Sequence, residues 1–168
     1  IYSCGTGLSK PEETQECEAG PGDEPTDRTL VVNVFKEPLP FMNESTFKEK
    51  GYVIVRYFWS DTCPPCFSPV NIESELEILA GEFKDLMVLS IIDVDEYKQE
   101  ASKYAKIGGF VYTPFIRVEG DGKHGYVNWF GNNLRDKLSD LKYETAQEVC
   151  RRTDLCHYDD SGKLHKDF

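Results

Sequence analysis

The segment most informative about the fold is Val53-Ile54-Val55-Arg56-Tyr57-Phe58-Trp59-Ser60-Asp61-Thr62-Cys63-Pro64-Pro65-Cys66. Residues 52–59 are β-branched and aromatic in nearly continuous succession, which is typical of a strand covered on both faces. Two cysteines separated by two prolines follow at once. The sequence therefore predicts a buried strand that leads directly into a chemically reactive pair of thiols.

The apolar spacing changes to that of a helix between about Cys63 and Lys84. One face of this predicted helix carries Ile72, Leu76, Leu79 and Phe83. A helix N-terminus offers unpaired amides and the positive end of the helix dipole, so we expect it to stabilise a Cys63 thiolate and lower its pKa. The prolines supply no amide, which would leave the amide of Cys66 available to the sulfur of Cys63. Two intervening residues also bring the sulfurs close enough to form and exchange a disulfide.

The rest of the middle region alternates strand and helix signals, which predicts an α/β fold. Helices between the apolar strands indicate that the first strands are parallel, and the last hairpin adds an antiparallel edge. The predicted strands are Leu30–Phe35, Tyr52–Trp59, Met87–Ile92, Phe115–Val118 and Tyr126–Phe130, the last two joined at Gly120-Asp121-Gly122. The predicted helices are a short one capped by Asn43 or Ser45 and ending at Lys50, one from about Cys63 to Lys84, one over Glu96–Lys106, and a last one after Gly131 with Leu134, Leu138 and Leu141.

Composition excludes several classes of protein. The chain has 168 residues, 39% of them apolar and 12% aromatic, which fits one folded domain with a core rather than a disordered chain. A net charge of −11 makes it a poor partner for nucleic acid. No apolar run approaches the roughly 20 residues of a membrane span.

Charge divides the chain into three parts. Residues 1–28 carry seven acids and two bases and few apolar side chains, so they are interpreted as an irregular acidic N-terminal extension. Residues 29–142 hold the alternating strands and helices and form the predicted domain. Residues 143–168, with six acids and four bases, are interpreted as the end of the last helix and a cysteine-containing tail.

Four further cysteines lie in the two terminal parts. The simplest pairing is local, Cys4 with Cys17 and Cys150 with Cys156, but four cysteines allow three connectivities and a cross-link between the extensions is the main alternative. Asn43-Glu44-Ser45 is an N-glycosylation sequon, and the sequon and the extra cysteines together favour an oxidising environment. We therefore expect a glycosylated protein that is secreted or in the lumen of the secretory pathway.

The stretch from Val53 to Cys66 resembles the active-site strand and motif of the thioredoxin superfamily. Three later segments are similar to the same family: Val94–Ser102 to its third strand and following helix, Thr113-Pro114-Phe115 to its cis-proline segment, and Trp129-Phe130-Gly131 to its last strand. The resemblance spans about 30–142 and implies a thioredoxin fold, a central mixed sheet flanked by helices.

The resemblance also implies an activity, thiol–disulfide exchange on protein substrates without a bound cofactor. Cys63 would attack the substrate disulfide, Cys66 would resolve the mixed disulfide, and Pro114 would lie against the pair. The backbone near Thr113 would bind an extended substrate by strand addition. The substrate groove would be formed by Trp59, Thr62, Pro64, Pro65 and Thr113.

The sequence departs from thioredoxins at several positions around this site. Tyr57 stands where thioredoxins have a buried aspartate, and Thr62 stands where they usually have tryptophan. Pro69 lies three residues after Cys66 rather than five, and residues 105–112 are about four residues longer than usual. These changes bear on rate, redox potential and substrate choice.

Other interpretations of the cysteine pair remain open at this point. It could be a structural disulfide or half of a zinc site, although a zinc ribbon needs a second CxxC and the sequence has none. The alternative function is that of a redox-inactive thioredoxin-like module that recognises a protein partner. Oligomeric state is not indicated by any pattern.

Overall fold

Residues 32–120 and 124–167 are described by the computed structural model, and the order of the main elements is the one that the sequence predicts. The strands are β1 (Val34–Phe35), β2 (Val53–Trp59), β3 (Met87–Asp93), β4 (Lys106–Ile107), β5 (Phe110–Val111), β6 (Phe115–Glu119), β7 (Tyr126–Phe130), β8 (Cys156–Tyr158) and β9 (Leu164–Lys166). The helices are α1 (Phe41–Glu49), α2 (Ile72–Glu82), α3 (Lys98–Tyr104), α4 (Gly131–Arg135) and α5 (Leu141–Thr153), with 3-10 turns at Pro64–Cys66 and Leu138–Asp140.

The main sheet has five strands in the order β1-β3-β2-β6-β7. Strands β1 and β2 both run parallel to β3, whereas β6 is antiparallel to β2 and β7 is antiparallel to β6. The central strands β2 and β3 are buried over almost their whole length, as their nearly continuous apolar sequences predicted. This mixed sheet with flanking helices is the thioredoxin fold.

Alternate residues of β2 contribute to opposite sides of the sheet, as the period of a strand requires. Val53, Val55 and Tyr57 belong to a large core cluster that also contains apolar residues of α2 and α5. Ile54 and Phe58 belong to two smaller clusters on the other side, with residues of α1 and α3 respectively. The active-site strand is therefore fixed by packing on both faces.

Helix α1 begins earlier than the sequence predicted. Asn43 and Ser45 were expected to cap it, but the helix starts at Phe41, so both residues lie inside it. The residue before the helix is Pro40, whose φ of −60° suits a helix start, and its carbonyl accepts the Glu44 amide at 2.9 Å. No side chain caps this helix.

The last helix, α5, continues from the predicted domain into residues 143–168, where the sequence predicted the end of that helix. Asn33–Phe168 form one compact unit, and α5 runs across residue 142. Its buried face carries Leu141, Thr145, Ala146 and Val149 into the main core. The charge division hid this face because the exposed side of the same helix is strongly polar. Strands β8 and β9, a hairpin that the sequence pattern did not predict, complete the unit.

No helix in the described ranges is long and apolar enough to cross a lipid bilayer.

Candidate active site

The predicted reactive cysteines lie directly after the central strand. Cys63 and Cys66 are joined in a disulfide, with their Cα atoms 5.5 Å apart. Both residues are buried, Cys63 at 4% and Cys66 at 1% exposure. The intervening prolines are exposed. Cys63 is thus slightly more exposed than Cys66.

The local structure at the pair differs from the predicted long helix. Pro64–Cys66 form only a 3-10 turn, and α2 begins at Ile72, where Asn71 Oδ1 caps it by accepting the Ser74 amide at 3.0 Å. Pro69 interrupts the helical hydrogen bonds because it has no amide. The dipole of α2 therefore does not begin at Cys63, and the expected helix-terminal stabilisation of its thiolate has no structural basis here.

The amide of Cys66 is also committed elsewhere. It donates to the carbonyl of Cys63 at 3.0 Å rather than remaining available to the sulfur, as the sequence had suggested. The 3-10 turn requires this bond, because its hydrogen bonds connect residues three apart. What the turn supplies is a fixed distance between the two sulfurs, since proline restricts the backbone on both intervening residues.

A small network of hydroxyl groups fixes the chain before Cys63. Ser60 is buried, its hydroxyl donates to the Asp95 carboxylate at 2.8 Å, and it accepts the Thr62 amide at 3.3 Å. The Thr62 hydroxyl lies 3.0 Å from that of Ser60, and the Ser60 carbonyl accepts the Cys63 amide at 3.1 Å. Sequence reasoning missed this network, because Asp95 is 35 residues away along the chain.

A cleft of about 130 Å³ is bordered by Pro65, which lies between the two cysteines, although neither cysteine lines it. The Thr113–Pro114 peptide bond in its wall is cis, as the resemblance implied. Of the predicted groove residues, Pro65 and Thr113 line this cleft together with Pro114, whereas Trp59, Thr62 and Pro64 do not. The remaining lining residues are Tyr112, Gly131, Leu134, Arg135 and Leu138.

Trp59 lies on the other side of the motif. It is half-buried, and its ring meets that of Phe67 edge to face at a centroid distance of 6.2 Å. This contact joins the end of β2 to the residue that follows Cys66. Trp59 therefore helps to fix the loop that carries the cysteines.

Tyr57 occupies the interior position where thioredoxins place a carboxylate. It is 1% exposed. Burial raises the pKa of the Tyr57 phenol well above its usual value, and the negative charge of Glu73 raises it further. The group is neutral at any physiological pH, so it cannot supply the base that an aspartate would supply in this place.

The remaining predicted sites are the other four cysteines and the sequon residue Asn43. Cys150 and Cys156 are joined in a disulfide between the end of α5 and the start of β8, which excludes a cross-link from either of them to the N-terminal extension. Asn43 is exposed in the first turn of α1. Cys4 and Cys17 lie outside the described residues.

Within residues 32–120 and 124–167, no group of three or more histidine, cysteine or carboxylate side chains is arranged to hold a metal ion.

The sequence matches no protein-family model and no curated protein. Among solved structures, the chain is similar to Fasciola hepatica thioredoxin, with 24% identity and a TM-score of 0.47 over 71% of this chain and 98% of that chain. It is also similar to a mutant thioredoxin from Halobacterium salinarum NRC-1, with 26% identity and a TM-score of 0.49 over 76% and 97% of the two chains. Thioredoxin f from spinach chloroplast is 20% identical, with a TM-score of 0.47 over 71% and 99%.

Proposed function

We propose that this thioredoxin-like domain is a thiol–disulfide oxidoreductase that acts on disulfides of protein substrates in the secretory pathway or outside the cell. The observation that carries the proposal is the bonded Cys63–Cys66 pair at the end of β2, beside a cleft lined by Pro65, Thr113 and Pro114. A disulfide in this place can accept two electrons, and its dithiol form can return them.

The roles of the two cysteines in the exchange are assigned from their order in the motif and from the slightly higher exposure of Cys63. In the reduced protein, the Cys63 thiolate attacks one sulfur of a substrate disulfide and releases the other as a thiolate that takes up a proton. The Cys66 thiol then loses its proton and attacks the Cys63 sulfur, which frees the second substrate thiol and leaves the Cys63–Cys66 disulfide. Two electrons have passed to the substrate, and an external dithiol returns the protein to its reduced form.

The cleft offers a place for the substrate chain next to the sulfurs. Thr113 precedes β6 and is half-buried, and residues on the other walls are largely apolar. An extended substrate segment that pairs with the backbone near Thr113 would bring its disulfide to Cys63. Backbone pairing of this kind supplies affinity, and contacts to the side chains of the substrate would supply specificity.

The proposed location rests on the covalent chemistry outside the active site. The Cys150–Cys156 disulfide joins two elements that are both part of the folded unit, and disulfides of this kind persist in oxidising compartments. Asn43, in the sequon, is exposed. Both features support secretion or a lumenal location.

The burial of the cysteines favours one alternative, a redox-inactive module that binds a protein partner. Cys63 is only 4% exposed, and only a 3-10 turn follows it in the described part of the chain. The interior position that could hold a carboxylate to assist ionisation of the thiols is occupied by Tyr57. A disulfide that resists mild reductants, or a Cys63 thiol with the ordinary pKa of about 8.5, would support this alternative.

Reduction of insulin with dithiothreitol as the electron source tests the proposal. We expect the wild-type protein to accelerate the reaction and Cys63→Ser to reduce the rate to that of dithiothreitol alone. A double variant, Cys150→Ala with Cys156→Ala, is the matched control, because it removes the other disulfide of the folded unit and should retain turnover. Absence of turnover in the wild-type protein would contradict the proposal.

A further inference from the structure

We propose that the hairpin next to the cleft is a docking arm for an extended segment of the substrate that carries a bulky apolar side chain and a carboxylate. The arm is defined as residues 106–112, which comprise β4, β5 and Tyr112. This inference rests on the proposed function and specifies the substrate chemistry of that same site.

The arm is a built structure rather than a loose loop. Lys106 pairs with Val111 and Ile107 with Phe110 in an antiparallel register. The turn consists of Gly108 and Gly109, which both have positive φ values, +60° and +88°. A two-residue turn of this kind matches the twist of a hairpin and favours glycine, which adopts positive φ without steric cost.

The arm is anchored at its base to the active-site wall. The amide of Tyr112 donates to the carbonyl of Ala105 at 3.0 Å, which closes the hairpin. The Tyr112 ring contacts that of Phe130 at a centroid distance of 5.1 Å, and Tyr112 itself lines the cleft beside Thr113. A peptide bound in the cleft would therefore continue onto the arm without a gap.

The surface of the arm is apolar where a solvated hairpin is usually polar. Phe110 is 72% exposed, and Ile107, Val111 and Tyr112 are exposed as well. Neither β4 nor β5 pairs with a further strand in the part of the chain that the structure describes. Proteins usually protect such edges with charges or prolines, so an open apolar edge next to a catalytic cleft fits a strand-like partner.

Charge selects the chemistry of that partner. The chain carries 30 acidic residues and a net charge of −11, yet residues 101–118 contain none, and neither do residues 122–135. Lys106 lies on the arm and Arg135 on the wall of the cleft. The carboxylates nearest in sequence to the cleft and the motif are Asp61, Asp136 and Asp140. A cationic site attracts a carboxylate. The anionic surfaces elsewhere on the molecule repel the same ligand and so favour its binding at this site.

Binding of labelled octapeptides to the oxidised wild-type protein tests the inference without turnover. In the parent peptide, serine replaces the reactive cysteine and is flanked by phenylalanine and glutamate. The two comparison peptides replace the phenylalanine with serine or the glutamate with glutamine. We expect fluorescence anisotropy to show binding of the parent and about tenfold weaker binding of the peptide without phenylalanine, the effect of losing one interface anchor.

Variants with matched controls locate the contact on the protein. Phe110→Ser should weaken binding of the parent about tenfold, whereas Phe41→Ser should leave it unchanged, because Phe41 is 79% exposed on α1 and lies outside the arm. Arg135→Gln should weaken binding of the glutamate peptide but not of the glutamine peptide. Arg151→Gln, an exposed arginine of α5, should affect neither.

Several results would overturn the inference. These are an absence of binding, equal binding of the phenylalanine and serine peptides, or equal effects of Phe110→Ser and Phe41→Ser. A concentration-dependent dimer that Phe110→Ser dissociates would assign the arm to a second copy of this chain and overturn it as well. Reduction of a small aromatic disulfide by the reduced wild-type protein separates the two proposals. No reduction contradicts the proposed function, whereas reduction without peptide discrimination contradicts only the arm.

Discussion

Arg56 Nη1 lies 2.7 Å from Glu119 Oε1, although the Arg56 side chain, on the central strand, is fully buried. Its other terminal nitrogen pairs with Glu44 at 2.8 Å, and its guanidinium lies 4.4 Å from the centre of the Tyr104 ring. The cluster links α1, β2, α3 and β6. A buried charge of this kind is tolerated only while its partners are present.

Glu119→Gln should therefore lower the free energy of unfolding by about 3 kcal/mol, the low end of the cost of breaking a buried ion pair, because Glu44 still partners Arg56. Urea unfolding measures the change. The control is Glu82→Gln, whose partner Lys142 is exposed and whose loss should cost about 0–1 kcal/mol. Equal effects of the two substitutions would contradict a stabilising role for the buried cluster.

The same cluster predicts a dependence of stability on pH. Burial alone would raise the pKa of Glu119, but Arg56, Arg117 and Lys48 outweigh it and hold the pKa below the ordinary value of 4.5. A lowered pKa in the folded state contributes stability above the unfolded value that is lost as pH falls through the folded value. The wild-type protein should thus lose more stability between pH 5 and pH 3 than Glu119→Gln. Parallel curves from urea unfolding would refute this.

Tyr57 should take no part in proton transfer during catalysis. Burial holds the pKa of its phenol above its ordinary value of 10.0, so the group stays protonated throughout the usual assay range. The pH–rate profiles of insulin reduction by the wild-type protein and by Tyr57→Phe should therefore superimpose between pH 6 and pH 9. An inflection that disappears in Tyr57→Phe would show that the phenol does exchange a proton.

The second disulfide should contribute stability without contributing turnover. Cys150 and Cys156 are six residues apart, and closing so short a loop in the unfolded chain is worth about 2 kcal/mol. Replacing both with alanine should lower the free energy of unfolding by about that amount. Insulin reduction at 25 °C should be retained, and a loss of turnover in the folded double variant would assign the pair a redox role.

Much of the fold could be predicted from residues that act locally. The run Val53–Trp59 is β-branched and aromatic except for Arg56, which is typical of a strand buried on both faces, and the structure has that strand. The helical stripe through Ile72 and Leu76 predicted the buried face of α2 but not its start. That start depends on Pro69, which lacks an amide, and on Asn71, whose side chain caps the helix. Both signals are in the sequence, but the helical spacing of the apolar residues, which extends over many more positions, obscured them.

The site was less predictable, because it is assembled from distant segments. That Thr113 and Pro114 line a cleft together with Pro65 followed from the family resemblance and not from any local pattern. The bond from Ser60 to Asp95 and the pairing of Arg56 with Glu119 connect residues 35 and 63 positions apart. Such pairs depend on strand register, which the sequence of either partner alone does not specify.

Trapping the mixed disulfide shows which of the two cysteines attacks the substrate. Reduced Cys66→Ser and reduced Cys63→Ser are each incubated with a peptide that contains a disulfide, and the covalent adducts are mapped by mass spectrometry. We expect a one-to-one adduct on Cys63 in Cys66→Ser and far slower adduct formation in Cys63→Ser. No adduct on Cys63, or equal rates in the two variants, would contradict the assignment of Cys63 as the attacking thiol.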